Sequence, residues 1–319
     1  MKDQIKELLQ EAKSIAILGH IRPDGDCVGS CLGLYHYITS NWKEYKVQVF
    51  LEEFDEKFFI LNDAKKIRHD LETKEKFDLA IACDVASIDR LGVAETMFKN
   101  ASHTLCIDHH LTNTNYADVT YLRGGLSSTG EVLCQLFDFD LVNQDCASSI
   151  YMAIAHDTGI FKFSATTQET MNYVGKLLSK GIDQTKIIDE TYNSKTYNQQ
   201  RICGKVLMES ELTEDGKVII SHATLKDLEN YHLVSTDLDG IIDNLRIVKD
   251  IEVAVFIYET GENCYKVSMR ANGKVKVSEI ALSHGGGGHI WAAGCTIQGT
   301  LNEVKNEILT DIKKQLIEE

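Results

Sequence analysis

The chain has 319 residues, of which 43% are hydrophobic and 25% charged, and its formal net charge is −15. This is the composition of an ordinary globular protein, and the length allows two domains with a core each. The acidic balance excludes a protein that coats long nucleic acid, because backbone binding depends on Lys and Arg, but it permits a small phosphate substrate held by metal ions.

The first half of the chain alternates predicted helices and strands. Short apolar runs indicate buried strands, and helical spacing after a capping residue indicates helices. In chain order these are a helix over 2–13, a strand over 14–19, a helix over 27–41, strands over 46–51, 77–85 and 103–110, and helices over 127–140 and 145–159. The rhythm predicts an α/β fold with a doubly wound, mainly parallel sheet.

Residues 168–200 have a polar, helical pattern, after which a second, smaller α/β domain is predicted. Its strands are expected over 217–225, 251–260 and 264–272, and its helices over 240–248 and 302–319. We therefore predict a catalytic domain over 1–185, a helical connector over 186–202 and a second domain over 203–319.

No run approaches the roughly 18 apolar residues that a membrane span needs, and the N-terminal pattern is not that of a signal peptide. The nine cysteines are scattered and none forms a CxxC pair. We therefore expect buried thiols in a cytoplasmic protein rather than disulfides. Cys27 lies inside a candidate motif, where packing is favoured over metal ligation because hard cations prefer oxygen and imidazole.

Polar side chains follow apolar segments at four separate points of the first half. They are His20, Asp24 and Asp26 after the first strand, Asp84 after the third, Asp108, His109 and His110 after the fourth, and Asp157 at a helix end. Taken singly, each has a structural explanation as a cap, a turn former or a polar edge. Loops at the carboxyl ends of parallel strands converge, however, and so many carboxylates repel each other unless cations compensate them. The combination favours a site for two divalent cations.

These segments resemble the motifs of the DHH phosphoesterases. The matching stretches are GHIRPDGDCVGS (19–30), ACDVAS (82–87), IDHHLTN (107–113) and AIAHDTGIFKFS (153–164). The stretch 265–295, with its GGGGH segment, resembles the associated DHHA1 domain. The resemblance covers nearly the whole chain and is greatest to the nanoRNase/pAp phosphatase branch, whose oligoribonuclease-like members have this length. It implies an active site in the cleft between the two domains.

The resemblance also implies a role for each residue. His20 and Asp24 would bind one cation, Asp26 and His109 the second, Asp84 would bridge them, and Asp157 would complete the coordination. Catalytic roles would fall to Asp84, to His110 near the scissile phosphate, and to Asp108, which would orient the neighbouring histidines. Mn²⁺ suits mixed imidazole and carboxylate ligands better than Mg²⁺, and Co²⁺ is a further alternative. A hydroxide held between the cations would attack phosphorus, so no protein nucleophile is needed.

The glycine run at 285–288 allows two interpretations. It forms either a nest of N–H groups for an anion or a turn between two helices, and Arg270 and His289 favour the phosphate receptor. The resemblance implies that Arg270, Gly286, Gly287, Gly288 and His289 grip the far end of the substrate. Ile290 and Trp291 stand where relatives often have a proline and a basic residue, and Trp291 could stack on a base or simply pack. Residues 123–131 could similarly supply N–H donors to an oxyanion or only cap a helix.

The expected function is hydrolysis of oligoribonucleotides of two to five nucleotides to mononucleotides, together with conversion of 3′-phosphoadenosine 5′-phosphate (pAp) to AMP. The alternatives are a phosphodiesterase for linear or cyclic dinucleotides (pApA, pGpG, c-di-AMP), an inorganic pyrophosphatase, and a nucleotide-binding regulator without activity. We expect neither membrane nor long nucleic acid as a partner. A homodimer is implied by the resemblance alone.

Overall fold

The computed structural model describes residues 2–317. The chain divides after Ser194 into two compact units, each with its own sheet and core. The domain limits drawn from the sequence at 185 and 203 stay a prediction. Among the described residues, no helix is both long enough and apolar enough to cross a membrane.

The first unit is built on a five-stranded, all-parallel sheet with the order β2-β1-β3-β4-β5. Its strands are β1 (Ser14–Leu18), β2 (Lys46–Phe50), β3 (Leu79–Cys83), β4 (His103–Asp108) and β5 (Val119–Leu122). This confirms the predicted α/β fold with a parallel sheet. Strand β5 was not predicted, because its four residues are mostly half-buried and form no apolar run.

Helices cover both faces of this sheet, since alternate residues of each strand point to opposite sides. Ile15 and Ile17 join one core cluster, whereas Ala16 and Leu18 join the other. The helices are α1 (Lys2–Glu11), α2 (Gly25–Asn41), α3 (Glu95–Lys99), α4 (Thr129–Leu136), α5 (Gln144–Asp157), α6 (Gln168–Leu178) and α7 (Gln184–Ile188). Short segments of other helical types occupy Glu56–Ile60, Ala64–Lys66, Ile88–Ala94, Phe139–Leu141 and Asp189–Asn193.

The strand order explains why polar residues gather at one edge. The chain runs from β1 out to β2 and then returns to the other side of β1 to form β3. In such sheets, ligand sites lie beyond the carboxyl ends of the strands at this reversal. His20 follows β1 and Asp84 follows β3 directly, so both lie at the reversal.

The second unit has a six-stranded mixed sheet with the order β10-β11-β9-β8-β7-β6. Its strands are β6 (Glu211–Leu212), β7 (Val218–Ala223), β8 (Val253–Gly261), β9 (Cys264–Ala271), β10 (Gly287–His289) and β11 (Ala292–Gln298). Its helices are α8 (Tyr197–Met208), α9 (Leu225–Tyr231), α10 (Ile241–Arg246), α11 (Val277–Ser283) and α12 (Leu301–Ile317). The last predicted helix was extended to 319, and residues 318 and 319 lie outside the described part.

The glycine run differs from one of its two predicted interpretations. It follows α11, but no second helix comes directly after it; instead, Gly287–His289 forms the edge strand β10, antiparallel to β11. The idea of a turn between two helices was therefore wrong. Neither β10 nor its partner β11 was predicted, because glycine has a weak strand propensity.

Candidate metal centre

The first segment of the centre is the turn between β1 and α2. Asp24 is the N-cap of α2, and its Oδ1 accepts hydrogen bonds from the N–H groups of Asp26 and Cys27, both at 3.1 Å. Its other oxygen, Oδ2, lies 3.7 Å from Nε2 of His20. One carboxylate therefore both starts the helix and faces the imidazole.

Asp26, in the first turn of the helix, is completely buried. Its Oδ2 accepts a hydrogen bond from the N–H of Thr129 at 2.7 Å, and its Oδ1 accepts one from the N–H of Gly130 at 3.0 Å. The Ser30 hydroxyl donates to the same Oδ1 at 2.9 Å. The N–H groups at the N-terminus of α4 thus donate to a carboxyl group of the protein itself; whether the stretch 123–131 also contacts a substrate oxyanion stays a prediction.

Asp84 lies between the two imidazoles. Its Oδ2 is 3.5 Å from Nε2 of His20, and its Oδ1 is 3.6 Å from Nε2 of His109. The Thr129 hydroxyl donates to Oδ1 at 3.0 Å. Asp84 has a positive φ of 63°, an uncommon conformation for a residue other than glycine that Asp and Asn adopt more readily than most. A carboxylate with one oxygen toward each of two ligand groups is what a bridging ligand requires.

Asp157 and Asp26 meet the other imidazole. Asp157 ends α5, and its Oδ2 lies 3.3 Å from Nε2 of His109, which is also 3.9 Å from Oδ2 of Asp26. The six residues predicted as metal ligands therefore come together from four separate segments. They form two groups around Asp84, namely His20 with Asp24, and His109 with Asp26 and Asp157.

The tautomers of the two imidazoles suit cation binding. Nδ1 of His20 donates to the carbonyl of Ile21 at 2.9 Å, and Nδ1 of His109 donates to the carbonyl of Leu126 at 3.1 Å. Each Nε2 then directs its lone pair toward carboxylate oxygens, an arrangement that is repulsive until a proton or a cation lies between them. Carbonyl acceptors of this kind commonly fix the ring of a metal-binding histidine. The donor atoms present therefore fit divalent cations.

The pKa values of the carboxyl groups and of His20 reflect how closely these side chains are packed. Burial and the charge of Asp84 raise the pKa of Asp26 and of Asp157 well above their usual range. Desolvation by neighbouring groups opposes ionisation of Asp24, whose side chain is itself 61% exposed, but the hydrogen bond and charge of His20 outweigh it and lower the pKa of Asp24 to about 2. For His20, burial favours the neutral ring, yet neighbouring Cys27, Asp24 and Asp84 raise its pKa above the usual value. The protein thus retains protons where cations would sit.

His110 is held by Asp108, which is completely buried. Nδ1 of His110 donates to Oδ1 of Asp108 at 2.7 Å, and the side chain of Asn113 donates to Oδ2 at the same distance. The hydrogen bond that His110 donates to Asp108 raises the pKa of His110. The resemblance implied that Asp108 orients both histidines, but this role falls to Asp108 only for His110, since the carbonyl of Leu126 holds His109.

Several neighbours of the centre were missed by sequence reasoning. They are the carbonyl of Leu126, the amide of Asn113, and Arg90, whose guanidinium lies 3.4 Å from Nδ1 of His20. The N–H groups of Thr129 and Gly130 lie in the stretch 123–131 that was considered as a source of donors, but their acceptor, Asp26, was not expected. Asn113 falls within the motif at 107–113, which is the one signal that could have singled it out. The others act through contacts between segments that are distant in sequence, and no local sequence pattern indicates such contacts.

In the second unit, Arg270 and His289 lie on one side of the sheet. Arg270 of β9 pairs with Ala292 of β11, which pairs in turn with His289 of β10. Directly paired residues project from the same face, so the guanidinium and the imidazole lie on one face, two strands apart. His289 is exposed, and Arg270 donates from Nη1 to the carbonyl of Met269 at 3.1 Å.

The glycines of the run permit close strand pairing. A Cβ at Gly286 would lie 2.2 Å from the carbonyl oxygen of Gly294, and Gly288 has a φ of 142°. Gly287 has open space around it. Trp291, for which stacking and packing were both considered, has 40% of its surface exposed.

Comparisons with known proteins place these features in a family. The model of the DHH family, N-terminal domain, matches residues 14–154, and that of the DHHA1 domain matches residues 215–318. The chain therefore contains a DHH domain and a DHHA1 domain.

Individual relatives match over nearly the full chain. The bifunctional oligoribonuclease and PAP phosphatase NrnA of Thermus thermophilus is 28% identical, over 98% of this chain and 93% of that protein. The protein of the same name from Bacillus subtilis is 26% identical, over 98% of both. A solved structure, an exopolyphosphatase-related protein from Bacteroides fragilis, superposes with a TM-score of 0.89 at 25% identity, over 98% of this chain and 95% of that one.

Proposed function

We propose that the chain is a phosphoesterase that uses two divalent cations, with Mn²⁺ as the favoured ion. Its substrates are oligoribonucleotides of two to five nucleotides, which it cleaves to mononucleotides, and pAp, which it converts to AMP. The observation that carries the proposal is the position of Asp84, with one oxygen toward His20 and the other toward His109. The names of the two full-length relatives support the substrate class.

In the proposed site, His20 and Asp24 hold one cation, His109, Asp26 and Asp157 hold the other, and Asp84 contacts both. When bound, two such cations activate water and neutralise charge on phosphoryl oxygens. The chain itself fixes the ligands, because the N-terminus of α4 orients Asp26 and backbone carbonyls orient both imidazoles. The acidic pocket cannot bind a phosphate without the cations, since like charges repel.

His110 is the proposed partner of the reacting phosphate. Its ring is anchored through Nδ1 to Asp108, while 38% of the side chain is exposed. Nε2 is thereby available to donate a hydrogen bond to a phosphoryl or leaving oxygen. Asp108 favours the imidazolium form of His110, which is the form that can donate from Nε2. The buried carboxylate would therefore act through His110, without contacting the substrate.

The second unit is proposed to hold the far end of the substrate, through Arg270, the N–H groups of Gly286, Gly287 and Gly288, and His289. Their placement on one sheet face and one edge supports this role. The proposal further includes a cytoplasmic location and a homodimer.

A substrate panel tests the proposal. Metal-free protein is supplied with Mn²⁺, Mg²⁺ or Co²⁺ and offered a labelled diribonucleotide, a pentaribonucleotide, pAp, c-di-AMP and pyrophosphate in parallel. Turnover of the short RNAs and pAp, with Mn²⁺ giving the highest rate, is the expected result. Hydrolysis confined to c-di-AMP or to pyrophosphate would replace the substrate assignment, and binding without turnover of any compound would indicate a regulator.

A further inference from the structure

Cys27 lies at the metal centre rather than merely behind it. The residue is in the first turn of α2, and its side chain is completely buried. Its sulfur belongs to a group with a nitrogen of His20 and an oxygen of Asp84, in which all three ligand atoms lie within 4.8 Å of one another. The preference for packing drawn from the sequence rested on the chemistry of hard cations alone.

The two partners of this sulfur each present a donor atom that is not committed elsewhere. Nδ1 of His20 is bonded to the carbonyl of Ile21, which leaves Nε2, and Oδ1 of Asp84 accepts from Thr129, which leaves Oδ2. These two atoms face each other at 3.5 Å. Both side chains are more than nine-tenths buried, so solvent satisfies them poorly.

Asp24 lies beside this group but outside it. Its Oδ2 is 3.7 Å from Nε2 of His20, while its Oδ1 is occupied in capping α2. The group itself offers one nitrogen, one oxygen and one sulfur. Three protein donors that include a thiolate and an imidazole, with the fourth position left to water or substrate, are typical of catalytic Zn²⁺ sites.

The other position is chemically different. Its group consists of Asp26, His109 and Asp157, two carboxylates and an imidazole without sulfur. Oxygen-rich ligand sets suit Mn²⁺ and Mg²⁺, whereas thiolates select softer cations. Two neighbouring positions with unlike donors are expected to prefer unlike ions.

The position of the sulfur is fixed by its surroundings. A Cβ at Gly19 would lie 2.3 Å from the Cys27 sulfur, so a glycine at the end of the strand leaves room for it. The thiol of Cys31 comes one turn later on the same helix and belongs to none of the three ligand groups found among the described residues. Cys31 is therefore a matched control for a buried thiol without ligand geometry.

We propose that the chain binds a thiophilic divalent cation of the Zn²⁺ class at Cys27, His20 and Asp84, next to a Mn²⁺ position at Asp26, His109 and Asp157. Binding releases the thiol proton to solvent, and the thiolate becomes a ligand of the cation. The inference rests on the proposed two-cation function and assigns a different ion to each position. It makes Cys27 the residue that determines metal selectivity.

Cobalt spectroscopy tests the inference independently of catalysis. Metal-free protein is titrated with Co²⁺, and the near-ultraviolet charge-transfer band of a cobalt–thiolate bond is recorded together with the visible bands of bound cobalt. We expect the charge-transfer band in the unaltered protein and in Cys31→Ala, and its loss in Cys27→Ala and Cys27→Ser with the visible bands retained. The affinity for Zn²⁺, measured by displacement of bound Co²⁺, should fall at least about 10-fold in Cys27→Ser, while the affinity for Mn²⁺ changes less than about 3-fold.

The outcomes separate the two proposals. Bound cobalt without the charge-transfer band in the unaltered protein, or the same band in Cys27→Ser, would overturn the role of Cys27. If the substrate panel succeeds in that case, the proposed function stands alone. If the band is present but no substrate is turned over, the metal assignment stands and the proposed function fails. Cys27→Ser nearly preserves the size of the side chain, so a folding defect of Cys27→Ala does not decide the result.

Discussion

The N–H of Thr129 donates a 2.7 Å hydrogen bond to the carboxylate of Asp26, a residue 103 positions earlier in the chain. The hydroxyl of Thr129 also donates to Asp84 at 3.0 Å. The first residue of α4 thus orients two carboxylates of the metal centre, Asp26 and the Asp84 oxygen that faces His109. Because N–H groups at a helix N-terminus favour an ionised partner, α4 holds Asp26 ready for a cation.

Thr129→Val keeps the shape of the side chain and the N–H bond to Asp26 but removes the donor to Asp84. We expect the affinity for divalent cations to fall about 10- to 100-fold, the usual effect of losing a partner of a metal ligand. Titration calorimetry on metal-free protein measures it. Thr129→Ser retains the hydroxyl and should bind cations within a few-fold of the unaltered protein; equal weakening by Ser and Val would show that the hydroxyl is not responsible.

Asp84→Asn removes the charge between the two imidazoles while retaining a residue type that tolerates positive φ. Nearly all phosphoesterase activity should be lost with the fold preserved, as judged by circular dichroism and thermal melting. Asp89→Asn is the control, since Asp89 is exposed in the helical segment Ile88–Ala94 that follows. An Asp84→Asn variant with the unaltered rate would disprove the two-cation arrangement.

The stability of the metal-free protein should fall as pH rises from about 4 toward 8. Burial and the charge of Asp84 raise the pKa of Asp26 and Asp157 in the folded state, whereas unfolded carboxyls titrate near about 4. Between these values the folded state binds more protons, so the free energy of unfolding decreases with pH by up to about 1.4 kcal/mol per pH unit for each group. His20, whose pKa is also raised, acts in the same direction.

Asp24 has the opposite sign, because its folded pKa is lowered to about 2. Its contribution to the free energy of unfolding is present above the pKa of an unfolded carboxyl group and is lost below about pH 4. This loss lies outside the range from about pH 4 toward 8 to which the prediction applies. Denaturant melts at several pH values, with and without Mn²⁺, measure the effect. Mn²⁺ should increase the free energy of unfolding more at pH 8 than at pH 5. An equal increase at both pH values would contradict the idea that protons on Asp26 and Asp157 occupy the places of the cations.

Gly29→Ala should separate α2 from α5. A Cβ at Gly29 would lie 2.5 Å from the backbone carbonyl oxygen of Ser149, which cannot yield as a flexible side chain could. We expect a loss of about 1–3 kcal/mol in the free energy of unfolding and weaker cation binding, because these helices carry Asp26 and Asp157. Gly175→Ala, in an exposed helical position with open space around it, should instead stabilise by about 0.5–1 kcal/mol.

Arg270→Gln should raise KM for pAp about 10- to 100-fold with little change in kcat, since a charge-assisted hydrogen bond to the substrate's far end is lost. Arg246→Gln provides the control, because both guanidinium groups lie within 4.0 Å of the same carboxylate, Asp243, at 3.9 and 3.6 Å. Steady-state kinetics with Mn²⁺ compares them. Equal increases in KM would point to Asp243 and its surroundings rather than to Arg270.

The parallel sheet and the gathering of the ligand residues could be predicted because each depends on short, local patterns. Apolar runs marked β1, β3 and β4, and the rule that strand ends converge then brought His20, Asp84 and His109 together. Asp157 was found although it follows a helix, since its position in the order of motifs resembled the family.

What escaped prediction depends on contacts between distant segments or on weak propensities. The hydrogen bonds from Thr129 and Gly130 to Asp26 exist only once α4 reaches α2, and neither stretch signals the other. Strand β10 consists of two glycines and a histidine, which have little preference for strands. Cys27 was assigned to packing because hard cations prefer oxygen and imidazole ligands, and sequence does not show which neighbours its sulfur meets.

The separation of Asp26 from Thr129 along the chain also has a kinetic meaning. A cation cannot find its ligands until the loops between them have closed, so the unfolded chain offers no assembled site. Bound cations should therefore slow unfolding and leave the folding rate almost unchanged, the behaviour of an interaction formed after the transition state. In a cell, removal of metal would shorten the lifetime of the folded protein but would hardly change the rate at which new chains fold.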